Sequence, residues 1–530
     1  MFAFHQGPVL DLKLLSGLVG GKNMTRMPTL RCLASAALLF GASPAALAAE
    51  EMTQQRIAVA ITETLAGHNP YGDAVVLIGS LWCKVYGCLM RYDFETGRPI
   101  PFLAESMEAE DELNWIVRLR PDWVRSNGDP VLAEDVVHSI DRVRNDPEST
   151  SGFIVQPIDT AEVVDDLTVR ITTHEPTATL ADNLTLLQIT SKRLYDEHGQ
   201  SVYRSHPIGA GPYRLSELSI GSHMVLERVD DHPMVAPSNP QQIMYRIMAE
   251  PEARVTALAN GEVQIAQGIP PQLIDRIEQL PNARTEFANS VEMMFLAMNP
   301  ATAPWDVKEA RQAVAHAINR EGIVRALLGD RATLLDGPVG EGQFGFDPDF
   351  KSPYGYDPER ARELLESVDL VGVEIDFYTP VGRYTADRQI AEAMVPMLEE
   401  AGFSVNLRTP EWATLWSNVQ TGGVPFYYMG RGQMLDPSRA LRQYFETGGS
   451  PRLEFSDPEL DALLQAERAA FDPDERYGLM RQAIAKLTEE VPAHFLWLHQ
   501  MAWGVAETVE YTPRQADRVD GWDIHIRTAP

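Results

Sequence analysis

Cys83 and Cys88 stand five residues apart, and the chemistry open to them is oxidation to a disulfide. On an uninterrupted helix that spacing points the two side chains apart. Residues 74–86 read as a helix, however, and Gly87 is placed to be its C′ residue. Cys83 then becomes C3 and Cys88 C″, the pair that a Schellman ending brings together. An oxidising compartment would close the bridge, and two buried thiols are the alternative. Little else in the chain has catalytic spacing. No run matches a P-loop, a Gly-x-Ser-x-Gly elbow or a His-Glu-x-x-His helix. Gly209-Ala-Gly211 is a fragment of a dinucleotide fingerprint followed by Pro-Tyr, and it reads as a turn. Of the twelve histidines, none pairs at metal-ligand spacing; His494 and His499 read as packing and surface residues beside Trp497. No catalytic residue, cofactor or metal is expected. Recognition is better represented: nine tryptophans and sixteen tyrosines suit an aromatic ligand cleft.

The elements that must position such a cleft can be read from the spacing of apolar residues. Residues 56–62 form a first strand, and Glu63 and Asn69 follow it, where α/β sheets present ligand contacts. Residues 113–120 read as a strand and 133–143 as a helix. Residues 163–172 read as one strand with a turn at Asp165-Asp166. Asp306 caps a helix in a box with Glu309. On that helix Val307, Ala310, Val314, Ala317 and Ile318 share one face. Asp357, Asp457 and Asp472 each precede a proline, the pattern of a capped start with Pro at N1. Residues 373–378 and 403–408 read as strands joined by a helix that ends at Gly402. The alternation implies α/β layers with partly parallel sheets. Trp412 and Trp416, four apart on a helix, share a face, with Trp412 the one to reach a cleft. Tyr427 and Tyr428 point opposite ways on a strand end, and Tyr428 is the expected ligand contact.

Length, charge and the N-terminus set the context. A chain of 530 residues is long enough for several packed units. Its formal charge of −30 argues against a nucleic-acid binder, which needs a basic surface. Three cysteines are too few for a disulfide-rich scaffold. Residues 24–48 have the basic start, apolar stretch and Ala-Leu-Ala end of a cleavable signal peptide. Residues 1–23 would then be an extension ahead of the true start. The apolar stretch is too short for a membrane span, and Cys32 lies too early to be a lipidation site. The mature protein is expected to be periplasmic and not a lipoprotein.

Several segments, in order, resemble one family. They are Leu-Asn-Trp-Ile-Val-Arg-Leu-Arg at 113–120, Ser-Asn-Gly-Asp-Pro-Val-Leu-Ala-Glu-Asp-Val-Val-His-Ser at 126–139, and Ile-Gly-Ala-Gly-Pro-Tyr-Arg-Leu at 208–215. Residues 296–300, 307–320 and 356–365 add further matches. Together they resemble the periplasmic solute-binding proteins of ABC importers, in the dipeptide, oligopeptide and nickel class (extracellular solute-binding protein family 5). The resemblance implies an α/β, two-lobed periplasmic binding protein fold, type II in the large cluster C form, with an extra subdomain in the first lobe. It implies a first-lobe core sheet at 50–85 and 208–292, the extra subdomain at 86–207, a second lobe at 293–490, and a return to the first lobe at 491–530. The crossings would lie near Glu292 and Val491.

The resemblance also bears on the ligand. In the family's peptide binders an aspartate in a second-lobe loop pairs with the ligand's α-ammonium. Aligning on Asp436-Pro437 puts neutral Gln433 at that position. Either Asp436 takes over the ammonium, or the ligand is not a simple free-amino peptide. Arg431 nearby offers donors suited to a carboxylate or phosphate. The implied partners are a small-molecule or peptide ligand and the membrane permease subunits, with the protein itself a monomer. A short peptide is the first expectation and an anionic or sugar-like solute the second. A secreted hydrolase with an unrecognised active site is the alternative of another kind.

Overall fold

The computed structural model describes residues 55–530, apart from 64, 66, 74, 75, 95, 433, 434, 516–518 and 528–530. The expected extension, the signal peptide and Gln433 lie outside the described residues. An eleven-stranded sheet organises the rest. Its order runs Ser404–Arg408, Glu374–Tyr378, Phe426–Gly432, Ala283–Met298, Ala493–Ala506, Ile265–Ala266, Arg56–Ile61, Gln242–Ile247, His223–Arg228 and Tyr213–Ser219, with Ala332–Leu334 paired off this path to Ala493–Ala506. Arg56–Ile61 runs parallel to both of its neighbours, as does Glu374–Tyr378. The sheet is therefore mixed, with parallel segments where helices return the chain.

Alternation decides which core each side chain enters. From the first strand, Val59 and Ile61 pack with Trp82, Trp115 and Trp503 in one core. Ala60 points to the opposite face, into a smaller cluster with Val255, Leu258 and Ala502. A separate large core gathers Met293 to Met298, the helix Lys308–Ala317 and the buried run from Phe495 to Leu498. Ala310, Val314 and Ala317 are buried there on one helix face, and Ile318, extended just past the helix end, is buried with them. A four-stranded antiparallel sheet, Ala104–Ala109, Asn114–Leu119, Thr168–Thr173 and Ile158–Asp165, adds a layer to the first core.

The helix starts at Asp357, Asp457 and Asp472 form as the sequence indicates, each carboxylate accepting N–H groups of the first turn. Gly402 ends its helix in the left-handed region at φ 114°. Three local readings are corrected. Asp306 does not cap: residues 302–307 fold into turns closed by Trp305 and Val307 N–H groups, and the helix begins at Lys308 after an extended Val307. Residues 163–172 are not one strand but part of the hairpin of Ile158–Asp165 and Thr168–Thr173, with Asp165 and Asp166 at its tip. Gly87, at φ 78°, sends its N–H to the Cys83 carbonyl at 3.0 Å, the single-bond αL ending rather than the Schellman form. That ending still brings the sulfurs together, and Cys83 and Cys88 form a disulfide with Cα atoms 5.1 Å apart. Gly209 and Gly211 close the same helix end. Ala210 and Gly211 donate to the Tyr86 and Val85 carbonyls, and a Cβ on Gly211 would lie 2.1 Å from the Lys84 oxygen.

Two long strands tie the cores together. Ala283–Met298 and Ala493–Ala506 pair antiparallel along most of their length, from Ala283 opposite Ala506 to Asn289 opposite Gln500, and from Met293 opposite Leu498 to Ala297 opposite Ala493. Between these stretches the first strand carries extra residues, a bulge at 290–292. Bulges bend a strand and increase its twist. Val491, Ala493 and Phe495 pack in the core of Met293–Met298, and Met501, Ala502 and Trp503 of the same strand pack on the other side. Pairing with the long partner strand carries the chain past the helix end before it changes core.

Candidate functional site

A cavity of about 890 Å³ opens at this ribbon and is lined from both cores. Thr62, Glu63, Gln267 and Gly268 come from one side, Arg383, Tyr384 and Arg431 from the other, and Ser290 to Glu292 with His499 to Ala502 from the ribbon itself. Two smaller pockets, of about 270 and 420 Å³, lie elsewhere. A site of this size and position can hold a small organic molecule and sense the angle between the lobes.

Backbone geometry aims the lining side chains. Glu63 follows the parallel strand Arg56–Ile61, at the carboxyl end where such sheets open to ligand. Gly268, at φ 64°, turns the next segment, and its carbonyl accepts the Arg254 guanidinium at 2.7 Å. On the other side the Asp387 carboxylate accepts the backbone N–H groups of Gly382, Arg383 and Tyr384 at 3.0, 2.8 and 3.0 Å. Three bonds to one carboxylate fix this loop. Tyr384 then donates its hydroxyl to the Gly430 carbonyl at 3.0 Å, locking the loop to the strand that carries Arg431. The Arg431 guanidinium donates to Gln443 Oε1 at 2.8 Å and lies over the Tyr444 ring.

The site's charge runs against that of the chain. Four arginines line the cavity, Arg331, Arg383, Arg431 and Arg439, facing three carboxylates, Glu63, Glu292 and Asp436. Asp436 is taken: Arg476 lies 2.6 Å from it and 3.1 Å from Glu467, and the Ser438 N–H donates to it at 2.9 Å. Arg383 stands 3.9 Å from Glu292. Burial lowers the Arg431 guanidinium's affinity for its proton, and burial together with Arg431 does the same to Arg439. His499 is pushed down to about 4 by burial, so it is neutral near pH 7. Asp182, from the first-core side, accepts a hydrogen bond from the Tyr92 hydroxyl at 3.2 Å. Its carboxyl is held well above the usual range by burial and by the negative Asp436.

The lobes touch a second time, apart from the ribbon. The Ala178 N–H donates to the Arg468 carbonyl at 2.7 Å, Trp115 packs edge-on against Phe471 at 5.2 Å, and Arg439 covers Phe153 at 4.6 Å.

Of the residues singled out from sequence, Glu63, Arg431 and Asp436 meet at the cavity. Asn69 does not line it; its side chain bonds to Asp146 at 3.2 Å and accepts the Tyr71 N–H at 3.0 Å. Trp412 stacks on Trp416 with centroids 5.6 Å apart, as helical spacing implies, and lies behind Tyr384 and Arg383. Tyr428 is fully buried, as is Tyr427. Both rings pack in the core of Met293–Met298, so Tyr384 presents the aromatic group instead. Arg331, Arg383 and Arg439 were not indicated by any motif; only their positive charge in an acidic chain marked them. Among the described residues no group of three or more His, Cys, Asp or Glu side chains could hold a metal. None of the described helices is long and apolar enough to cross a membrane.

Comparison with known proteins gives one consistent picture. A family model, bacterial extracellular solute-binding proteins, family 5 Middle, matches residues 98–452. The glutathione-binding protein GsiB of Pectobacterium atrosepticum is 24% identical over 473 residues, covering 86% of this chain and 91% of that protein. The dipeptide-binding protein of Escherichia coli K12 is 26% identical over 444 residues, covering 77% and 82%. Among solved structures, HbpA2 from Haemophilus parasuis superposes with a TM-score of 0.80 at 20% identity, covering 89% of this chain and all of that one.

Proposed function

The chain belongs to the bacterial extracellular solute-binding proteins of family 5, the binding components of ABC importers, and on that premise we propose that its solute is a short peptide held between the two lobes. The observation that carries this reading is the cavity of about 890 Å³, built from both cores and from the ribbon that joins them. A ligand there contacts both lobes and so binds the closed arrangement better than the open one. That differential affinity is what a hinge needs in order to respond. A permease that recognises the closed form would then receive only loaded protein.

In this proposal the protein is exported through the signal peptide at 24–48, acts in the periplasm as a monomer and performs no reaction of its own. The first lobe comprises the core sheet of 50–85 and 208–292 with the subdomain of 86–207, the second lobe 293–490, and the ribbon returns the chain. Relatives named for glutathione and dipeptides support a peptide. A non-peptide anion is the second reading, favoured by the arginines in the cavity.

Calorimetric titration of the ligand-stripped protein with dipeptides, tripeptides and glutathione tests the first reading. Saturable heat from one or more peptides is expected. No heat from any of them, together with heat from another metabolite, would overturn it.

A further inference from the structure

Resting on that reading of the cavity as the ligand site, we infer that the ligand carries a net negative charge with at least two acidic groups, and that Arg431 and Arg439 are the residues that select it. The chain holds 75 acidic against 45 basic residues, yet its ligand cavity has more arginines than carboxylates. Two of the carboxylates are matched within the protein. Asp436 is paired with Arg476 at 2.6 Å, and Glu292 stands beside Arg383 at 3.9 Å. That leaves Arg331, Arg431 and Arg439.

None of these three arginines has a carboxylate within ion-pair distance among the described residues. Arg331 and Arg439 lie over the rings of Phe287 and Phe153, and Arg431 bonds to a neutral amide, Gln443. Arg431 ends the strand Phe426–Gly432 and Arg439 starts the helix Ser438–Phe445, and Arg439 is close enough to feel the charge of Arg431. Like charges confined in a partly desolvated cleft repel, and an anion between them relieves the repulsion while taking charge-assisted hydrogen bonds. The ammonium partner that a peptide binder needs cannot be Asp436, which is spent on Arg476. The acidic groups of the ligand are therefore what Arg431 and Arg439 select.

The test is a competition read by native mass spectrometry. The full exported protein, stripped of ligand, is offered an equimolar pool of synthetic tripeptides ranging from basic to doubly acidic. Acidic tripeptides are expected to be retained at least about tenfold over neutral ones, the ratio that one charge-assisted contact supplies. In the R431Q/R439Q protein that preference should vanish. Retention blind to charge, or an unchanged preference in the variant, overturns the inference and leaves the peptide reading intact. If no tripeptide is retained, the peptide reading fails, and a second pool of mono- and dicarboxylates decides. Dicarboxylates held by the parent and lost from the variant support the inference; no retention, or retention blind to charge, overturns it. Should the double variant fail to fold, ionic strength gives the same information, since salt must weaken acidic tripeptides selectively.

Discussion

Arg476→Met is expected to be the most damaging single change in the second lobe outside its apolar core. The guanidinium sits between Asp436 at 2.6 Å and Glu467 at 3.1 Å, with side-chain exposures of 9%, 5% and 0%, and it covers the Phe344 ring at 4.3 Å. Methionine keeps most of the apolar stem but removes the only cation paired with two buried carboxylates. Removing one partner of a buried pair costs about 3–5 kcal/mol, because the other charge is left uncompensated. With two carboxylates abandoned, and Asp182 facing them from the other lobe, about 5 kcal/mol is expected at pH 7. The sign of the pH dependence follows. Without the cation these carboxyls hold protons in the folded state that the unfolded chain releases. The variant's deficit therefore shrinks as pH falls from neutrality toward the ordinary carboxylate range near 4, by about 1.4 kcal/mol for each unit by which a carboxyl is raised. Urea unfolding followed by tryptophan fluorescence at pH 7 and at acid pH measures both effects. A loss below about 1 kcal/mol, or a deficit that does not change with pH, would refute the account of this cluster.

Three further outcomes are expected. Asp182 is raised by burial and by Asp436, so its contribution is complete below the ordinary aspartate value of 3.8 and declines as pH rises through its elevated folded value; Asp182→Asn should remove that decline and raise thermal stability at neutral pH, and an unchanged pH profile would count against it. Replacing Cys83 and Cys88 by alanine should lose about 2 kcal/mol, the closure entropy of so short a loop, and the unreduced exported protein should weigh two hydrogens less than the reduced one. Gly211→Ala places a methyl 2.1 Å from the Lys84 carbonyl oxygen, backbone against backbone, and should cost about 3 kcal/mol or prevent folding; a soluble variant with parental unfolding behaviour would show that this helix end can move.

The fold was legible where local chemistry decides it. Asp before Pro announces a helix start, and all three such starts form. Ala310, Val314 and Ala317 mark a buried face because only helical spacing brings them together. Local chemistry failed where neighbours decide. Asp306 has the residues of a capping box, but the turns that precede it delay the helix to Lys308. Ile158–Asp165 is almost entirely exposed or half-buried, so its sequence lacks the apolar alternation that marks a strand, and only its partner reveals it. The site was legible in part. Glu63 and Arg431 could be placed from the ends of strands. Tyr428 could not, because alternation assigns a side chain to a face without saying that both faces are covered. Arg383 and Arg439 line one cavity from separate parts of the chain, and no periodicity records such an arrangement.

The ribbon has a consequence for how the protein is made. Residues 493–506 lie between Ala283–Met298 and Ile265–Ala266 in the middle of the sheet, and Arg56–Ile61 is reached only beyond them. Ile265–Ala266 and Ala283–Met298 therefore lack a final neighbour until a segment about two hundred residues later arrives. Contacts of such separation make assembly slow and leave strand edges unpaired in the meantime. A chain with this order carries an open seam in the middle of its sheet until that strand has been made. The strand that closes this seam is the same one that lines the ligand cavity.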